Sequence, residues 1–242
     1  MLNQFSRTEI LLGEDAMTKL ASSRIAIFGI GGVGGHTAEA LARCGIGEFD
    51  LIDNDDVSLT NVNRQIIATM DTVGRDKVDV MRERILSINR EAVIHTHKCF
   101  YLPETKDEFH FADYDYIVDA IDTVTGKIAL VMQAQEAGTP IISSMGMGNK
   151  LNPTEIEVAD IYQTSICPLA RVMRRELKAR GVKKLKVVFT KEKPITPIQK
   201  TAKEVKDAEG ITKRSVPGST SFVPSVAGLI MASEIVKDIV QI

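Results

Sequence analysis

A glycine-rich loop near the N-terminus contains the residues of this chain best suited to bind a phosphate. The loop spans residues 29–35 and reads Gly-Ile-Gly-Gly-Val-Gly-Gly. An apolar stretch typical of a buried strand (24–28) precedes it, and a stretch with helical apolar spacing (33–44) follows it. Backbone N–H groups converge at such a strand-to-helix junction, and the helix dipole favours an anion there. The glycines predicted to line the phosphate are Gly29, Gly31, Gly32 and Gly34.

A carboxylate and two cations follow the loop and favour phosphoryl chemistry over hydride transfer. A second predicted strand (48–52) ends at Asp53, where nucleotide-binding folds place a carboxylate against a ribose hydroxyl. Arg64 and Lys77 follow, and a hydride-transfer site has no need of such cations. Adenylyl transfer builds negative charge on phosphoryl oxygens, and each cation contact at about 4 Å contributes up to about 4 kcal/mol before desolvation. The polar residues that accompany these cations are Asp55, Asn61 and Gln65.

A third predicted strand (114–121) ends at Asp122, and ligands bind at the carboxyl ends of strands in open parallel sheets. Because Mg²⁺ prefers oxygen ligands, Asp122 is the candidate metal ligand. The alternative is that Asp122 caps a helix beginning near Val124, a frequent role of aspartate. Asp119, inside the same strand, is expected to be buried or to act as a cap.

These residues together resemble the nucleotide site of the ubiquitin-activating-enzyme-like superfamily (ThiF/MoeB/HesA), whose smaller bacterial members adenylate carboxylates. The resemblance covers roughly residues 1–150. It implies that ATP and Mg²⁺ are the cofactors, that Asp53 holds the ribose and that Asp122 binds the metal. The residues that it places in the cofactor site beside the glycines are Asp53, Asp55, Asn61, Arg64, Gln65 and Lys77.

Arg7, in the segment Phe5-Ser6-Arg7-Thr8-Glu9, resembles the arginine that each subunit of these homodimers supplies to its partner's site. The resemblance therefore implies a homodimer and adds Arg7 to the predicted catalytic residues. The alternative for Arg7 is a solvated helix charge. The predicted catalytic residues are Arg64, Lys77, Asp122 and Arg7.

The three cysteines, Cys44, Cys99 and Cys167, form no Cys-x-x-Cys pair. Sulfur-carrier activators of the superfamily commonly carry two such pairs around a structural zinc ion, so no zinc site is predicted here. Scattered thiols without disulfides fit a reducing cytoplasm. Cys167 precedes Pro168 and is predicted to cap the next helix, with a reactive thiol as the alternative.

That next helix is predicted to carry four cations on one face, because they recur at positions i, i+3, i+4 and i+7. They are Arg171, Arg174, Arg175 and Lys178. Few carboxylates lie nearby in the sequence, although the formal net charge of the chain is only −2. This concentration favours a polyanionic partner, and the scarcity of aromatic residues favours phosphate contacts over base stacking. The alternatives are a solvated face and the docking of an acidic sulfur-carrier protein.

Motifs in both halves of the chain resemble the tRNA threonylcarbamoyladenosine dehydratase family. They are Arg7-Thr8-Glu9-Ile10-Leu11-Leu12-Gly13, Cys167-Pro168-Leu169-Ala170-Arg171 with the basic helix, and Pro217-Gly218-Ser219 before 222–227. The resemblance implies that the enzyme adenylates the carboxylate of a threonylcarbamoyl group on tRNA, and that the ring then closes with release of AMP and pyrophosphate. It also implies that the basic helix binds the tRNA. Some family members have a cysteine near the position of Ser221, so a thioester step there is not supported.

Composition and hydropathy favour a cytoplasmic α/β protein with no DNA or membrane partner. The 242 residues are 44% apolar, enough for one core and a smaller lobe, and no apolar segment is long enough for a bilayer. We predict a Rossmann-like, doubly wound, mostly parallel sheet with a C-terminal extension that has strands near 155–159 and 185–190. The predicted divisions are an N-terminal helical segment (1–22), an ATP-binding domain (23–150) and a substrate or dimerisation extension (151–242).

The C-terminal part contains two further predicted features. Segment 223–242 is predicted to form a helix buried in the core or in a dimer interface, and segment 191–214 a mobile crossover loop that orders on substrate. Two other functions remain open at this level. One is adenylation of a small sulfur-carrier protein, with a sulfur-transfer partner, and the other is an RNA-binding scaffold with a degenerate nucleotide pocket.

Overall fold

A seven-stranded sheet forms the centre of the computed structural model, which describes residues 2–199, 201, 203 and 217–242. The strands are β1 (Arg24–Phe28), β2 (Glu48–Ile52), β3 (Val93–His97), β4 (Tyr116–Asp119), β5 (Ile141–Ser144), β6 (Ile156–Asp160) and β7 (Lys186–Thr190). Their order is β3-β2-β1-β4-β5-β7-β6, and neighbours are parallel except β6 and β7. Strands β1 to β3 follow one another toward one edge of the sheet, and β4 and the later strands lie on the other side of β1. The topology therefore switches between β1 and β4. The predicted doubly wound α/β fold is therefore confirmed.

Helices cover both faces of this sheet, and their order alternates with the strands along most of the chain. They are α1 (Ser6–Leu12), α2 (Glu14–Ala21), α3 (Gly34–Arg43), α4 (Lys77–Ile88), α5 (Val124–Ala137), α6 (Pro168–Ala179) and α7 (Phe222–Val240). Because β1 is covered on both faces, its residues from Ile25 to Phe28 are fully buried. Helix α3 begins at Gly34, inside the glycine loop, and lies within the predicted helical stretch 33–44.

The edge strand β3 carries two histidines that bind carboxylates of the neighbouring strand β2. His95 Nε2 lies 3.0 Å from Glu48 Oε1, and His97 Nε2 lies 2.8 Å from Asp50 Oδ1. Arg24 Nε also donates to Asp50 Oδ2 at 2.8 Å. Although burial favours the neutral acid, the hydrogen bonds from His97 and Arg24 hold the pKa of Asp50 below its ordinary value. These histidines thus belong to a hydrogen-bonded cluster at the sheet edge.

The C-terminal helix α7 packs against α3 and is part of the main core. A Cβ atom at Gly228 would lie 2.4 Å from the carbonyl oxygen of Val33, so the two helices touch at their backbones. The hydroxyl of Thr37 donates to the carbonyl of Gly228 at 3.1 Å, and Met231 and Ile235 are fully buried. The prediction of a buried C-terminal helix is therefore confirmed. In the part of the chain that the structure describes, no helix is both long and apolar enough to cross a membrane.

The C-terminal extension continues the central sheet. Its strand β7 pairs with β5 in parallel, and β6 pairs with β7 in antiparallel register, so the predicted boundary at residue 150 falls within one continuous sheet. Both strands begin one residue later than predicted. Helix α6 covers this end of the sheet with buried Met173 and Leu177. Most of the predicted crossover loop 191–214 lies outside the described residues.

Candidate nucleotide-binding site

The predicted nucleotide residues meet in one cavity of about 830 Å³ at the carboxyl ends of β1, β2, β4 and β5. This edge includes the crevice where the sheet topology switches, the usual ligand position in doubly wound folds. The predicted residues that line it are Gly29, Gly31, Gly32, Asp53, Asp55, Asn61, Arg64, Gln65, Lys77 and Asp122. Gly34 packs against Gly29 within the loop and does not line the cavity, and neither do Arg7 and the four cations of α6.

The glycines of the loop divide into two groups by what surrounds them. A Cβ atom at Gly34 would lie 1.8 Å from the carbonyl oxygen of Gly29, and one at Gly29 would lie 2.7 Å from that of Ala120. Gly29 also has a positive φ of 94°. These two glycines let the loop close upon itself and upon the end of β4. Gly31 and Gly32 face the cavity, so their backbone is open to an anion.

Asp53, at the end of β2, is fixed by two backbone amides at the mouth of the loop. Its carboxylate accepts from Ile30 N at 2.6 Å and from Asp55 N at 2.8 Å. Burial raises the pKa of Asp53, against the opposing effect of Lys77 and the two amides. The carboxylate is therefore held in a defined position, where it can accept a hydrogen bond from a sugar hydroxyl.

Lys77 begins helix α4 and directs a nearly buried ammonium group into the cavity. The side chain is 6% exposed, and its Nζ lies 2.8 Å from Asp55 Oδ2 and 3.7 Å from Asp53 Oδ1. Asp55 itself is largely exposed. The lysine is thus held at the cavity wall by two carboxylates, and an incoming polyphosphate can compete for the same ammonium.

The segment between β2 and α4 positions Asn61, Arg64 and Gln65 through its own backbone. Asn61 ends a 3₁₀ turn, its side chain accepts from Ser58 N at 3.1 Å, and its carbonyl accepts from the amides of Arg64 and Gln65 at 3.0 and 2.9 Å. Arg64 Nη1 donates to Thr60 O at 2.8 Å, which directs the guanidinium along the cavity wall. The spacing of Asn61, Arg64 and Gln65 in the sequence therefore reflects one compact turn.

Gln65 carries a buried polar atom that the described protein residues leave unsatisfied. The side chain is 7% exposed, and its Oε1 has no hydrogen-bond partner among them. An unsatisfied buried acceptor costs about 1–3 kcal/mol, so it marks a place where a donor from a ligand is stabilising. Gln65 Nε2 lies 4.0 Å from the position of a Cβ at Gly31, beside the glycine loop.

Asp122 lies three residues beyond the end of β4 and lines the cavity with an exposed side chain. The N-cap position of α5 belongs to Thr123, so the alternative role of Asp122 as the N-cap is wrong. Asp119 is fully buried, as expected, and pairs with Lys127 at 2.9 Å. Of the two aspartates, Asp122 is therefore the one that lines the cavity.

Two walls of the cavity consist mainly of residues that were not predicted from the sequence. Residues 99–101, after β3, close one end, and residues 145–150, after β5, close the other together with Cys167. Within the second wall Lys150 is 3% exposed. Cys167 is 1% exposed and occupies the N-cap position of α6, as predicted. A glycine-rich run that follows an apolar strand, Met-Gly-Met-Gly-Asn-Lys, was the available signal for this wall.

Comparison with known proteins agrees with this geometry. Residues 5–242 match the sequence profile of the ThiF family. This chain belongs to the ThiF family. It is 44% identical over 244 residues to the tRNA threonylcarbamoyladenosine dehydratase of Bacillus subtilis, covering 100% of this chain and 96% of that protein. The Escherichia coli dehydratase is 43% identical over 176 residues, 73% of this chain and 66% of that protein.

A solved structure supports the same grouping within the ThiF family. The E. coli tRNA N6-threonylcarbamoyladenosine dehydratase, TcdA, in complex with ATP aligns with a TM-score of 0.86 at 35% identity. The alignment covers 98% of this chain and 94% of that chain. Together, the full-length identity and the shared structure place this ThiF protein among the tRNA threonylcarbamoyladenosine dehydratases.

In this ThiF protein the four cations of α6 differ in their surroundings. Arg171 and Lys178 are exposed, whereas Arg174 is half-buried and donates to the carbonyl of Thr164 at 2.9 Å. Arg175 pairs with Glu176 at 2.8 Å. The expectation of few nearby carboxylates thus holds for only part of this face. Glu176 pairs with Arg175 and also with Arg180.

Proposed function

We propose that this protein catalyses the ATP-dependent dehydration of N6-threonylcarbamoyladenosine in tRNA through adenylation of its carboxylate, with release of pyrophosphate and AMP. The observation that carries the proposal is the convergence of the glycine loop, Arg64 and Lys77 on one cavity in a chain that matches a dehydratase along its full length. A tRNA substrate also assigns the reaction to the cytoplasm.

The cavity fits ATP in both shape and polarity. Open glycines at 31 and 32 suit a phosphate chain, and the fixed Asp53 carboxylate suits a ribose hydroxyl. Residues 99–101 border the same cavity on the β3 side and suit a base. These groups run from β3 to β1 along the sheet edge in the order base, ribose and phosphates.

Mg²⁺ fits the donor set of the site, since Asp122 is an exposed carboxylate at the carboxyl end of β4. Asp122 would hold the metal, which neutralises charge on phosphate oxygens. Arg64 and Lys77 line the same cavity and would add two positive charges. Two cations and a metal would then surround the triphosphate.

The reaction needs neutralised charge and correct positioning. The substrate carboxylate attacks the α-phosphorus, an oxygen–phosphorus bond forms, and the bond to pyrophosphate breaks. A nitrogen or oxygen of the same modification then attacks the acyl carbon, its proton leaves, and AMP departs as the ring closes. Because the nucleophile is tethered, no protein nucleophile is required. Arg64 and Lys77 stabilise the charge that develops on the phosphoryl oxygens.

The direct test is AMP formation by the purified protein with tRNA isolated with and without the threonylcarbamoyl modification. AMP and pyrophosphate are expected in equal amounts with modified tRNA and at background with unmodified tRNA. A third reaction contains a carrier protein ending in Gly-Gly and tests whether the enzyme adenylates a sulfur-carrier protein instead. AMP formation at the same rate with and without RNA would contradict the proposal, as would an acyl-adenylate formed only with the carrier.

We propose that the exposed cations of α6 contact tRNA phosphates, together with Arg174 and Arg175 where these are released from their present partners. The double variant Arg171→Ala/Lys178→Ala is expected to raise the Kd for tRNA at least about tenfold. It should also lower the slope of log Kd against log salt by about 1.5, since each lost phosphate contact removes roughly 0.7–0.9. Filter binding at several salt concentrations measures both quantities.

A matched control removes two exposed positive charges at positions away from this helix. Lys19→Ala/Arg82→Ala lowers the net charge by the same amount from α2 and α4, and both side chains are exposed. Equal salt slopes for the two double variants would show that the α6 face does not contact phosphates. The turnover at saturating modified tRNA is expected to be unchanged in both.

We also propose a homodimer in which Arg7 enters the partner's site. Arg7 is exposed and lies outside the cavity of its own chain, on helix α1, which buries none of its residues. The same segment exposes Leu2, Ile10 and Leu11 by 79–90%. Exposed apolar residues at this density favour burial against a second copy. In that arrangement Arg7 adds a positive charge to the other subunit's site.

A further inference from the structure

Lys150 is a buried lysine in the wall of the nucleotide cavity, and it forms no direct salt bridge with a described residue. The residue is 3% exposed, and its Nζ donates to the carbonyl oxygen of Glu192 at 2.7 Å. The carboxylate of Glu192 instead accepts from the backbone amides of Leu151 and Asn152, at 2.9 Å each. An ammonium group has three N–H donors, and the carbonyl of Glu192 accepts from one of them. The other donors can bind a ligand.

The position of this lysine is fixed by the residue before it. Asn149 has a left-handed backbone with φ 60°, which is uncommon outside glycine. Its backbone amide and side-chain oxygen form two hydrogen bonds of 2.7 Å with Gly218, and its carbonyl accepts from Ile195 at 2.8 Å. Contacts from two distant segments therefore hold the strained residue, and strain retained in this way is typical of functional sites.

The proposed arrangement of ATP leaves Lys150 beyond the phosphate end of the nucleotide. In that arrangement the base, ribose and phosphates follow β3, β2 and β1, Asp122 follows β4, and Lys150 follows β5. Adjacent strands lie about 4.8 Å apart, so the end of β5 is roughly 10 Å from the glycine loop. The substrate acyl group must approach the α-phosphate from the side that the nucleotide does not occupy, and Lys150 borders that side.

We propose that Lys150 is the specificity-determining residue that binds the carboxylate of the threonylcarbamoyl substrate and orients it toward the α-phosphate. This inference rests on the proposed function. Gly146, Gly148 and Cys167 line the same wall of the cavity as Lys150. Burial lowers the pKa of Lys150 despite the opposing charges of Glu192 and Glu155, and a carboxylate of the substrate would offset the remaining cost. A neutral analogue of the substrate offers no such compensation.

The test compares two tRNAs that differ only in the charge of the threonyl group. One carries threonylcarbamoyladenosine, and the other carries its primary amide. Binding is measured with an ATP analogue that has a methylene group between the α- and β-phosphates, so that no adenylate forms. The wild-type protein is expected to prefer the acid at least about tenfold, because a hydrogen bond to a charged group is lost with the amide.

Lys150→Met should bind both tRNAs with nearly equal Kd, whereas Lys150→Arg should retain a preference for the acid. Turnover of Lys150→Met should show a raised KM for modified tRNA and an unchanged KM for ATP. Lys19→Met is the matched control, since Lys19 is exposed on α2. If Lys150→Met misfolds, as judged by lost binding of the ATP analogue, Lys150→Gln replaces it.

Two outcomes separate this inference from the proposed function. A variant that lacks the ammonium group but keeps the wild-type preference for the acid overturns the role of Lys150 while leaving the dehydratase proposal intact. A wild-type protein that forms no AMP with modified tRNA overturns the proposed function and the inference with it. Loss of the preference in Lys150→Met, together with normal binding of the ATP analogue, supports both.

Discussion

Arg64→Ala is expected to lower AMP formation about 10³-fold, which is the usual effect of removing one preorganised positive group from a phosphoryl-transfer site. The guanidinium lines the cavity beside the glycine loop and is directed there by its bond to the carbonyl of Thr60. Its charge matters most when negative charge develops on the phosphoryl oxygens. The loss should therefore fall on kcat in single-turnover and steady-state assays, with the Kd for tRNA nearly unchanged.

The control for this variant is Arg82→Ala, which removes an exposed arginine from α4 and should retain full turnover. A scaffold with a degenerate pocket would give the opposite result, because its tRNA-dependent phenotype would survive Arg64→Ala. If Arg64→Ala kept more than about a tenth of wild-type AMP formation, the adenylation mechanism would lose its main support.

Mixing two inactive variants tests the proposed dimer at the same time. Arg7→Ala keeps its own Arg64 but lacks the arginine for its partner, whereas Arg64→Ala still supplies Arg7. A mixed dimer therefore contains one complete site. Random exchange of subunits should restore about a quarter of wild-type turnover, since half of the dimers are mixed and each has one working site. No recovery after verified exchange would place Arg7 outside the partner's site.

The nucleotide half of the site was predictable because its signals are local. The loop at 29–35 lies between a strand and a helix that follow one another in sequence, and Asp53 ends the next strand. Asn61, Arg64 and Gln65 belong to one turn whose backbone bonds link residues three or four positions apart. Sequence spacing alone therefore places these groups at one sheet edge.

The substrate half depends on contacts between distant segments, which spacing does not encode. Lys150 owes its position to Asn149, which binds Gly218 across 69 residues of sequence. The partners of the basic face were missed for a related reason. A helical projection shows which cations share a side, but the rotamers of Arg175 and Glu176 decide which charges are already paired.

Lys127→Met is expected to destabilise the protein by about 3–5 kcal/mol, because it leaves a buried carboxylate without its counter-ion. Lys127 and Asp119 are both fully buried, and Lys127 Nζ lies 2.9 Å from Asp119 Oδ1 and 2.7 Å from the carbonyl of Ser144. At this chain length the Tm should fall by roughly 10 °C. Denaturant unfolding and thermal scans measure the loss.

Two further variants show whether the effect of Lys127→Met comes from the lost ion pair or from altered packing. One is a double variant at the same site, and the other breaks an exposed ion pair. Asp119→Asn/Lys127→Met removes both charges and keeps an acceptor for the hydroxyl of Ser143, so it should be more stable than Lys127→Met alone. Lys191→Met breaks an exposed pair with Glu157 by the same substitution and should cost at most about 1 kcal/mol. If the double variant were no more stable than Lys127→Met, packing would explain the loss. Recovery would instead show that the uncompensated Asp119 carboxylate causes it, at the junction of α5 with the ends of β4 and β5 beneath the cavity.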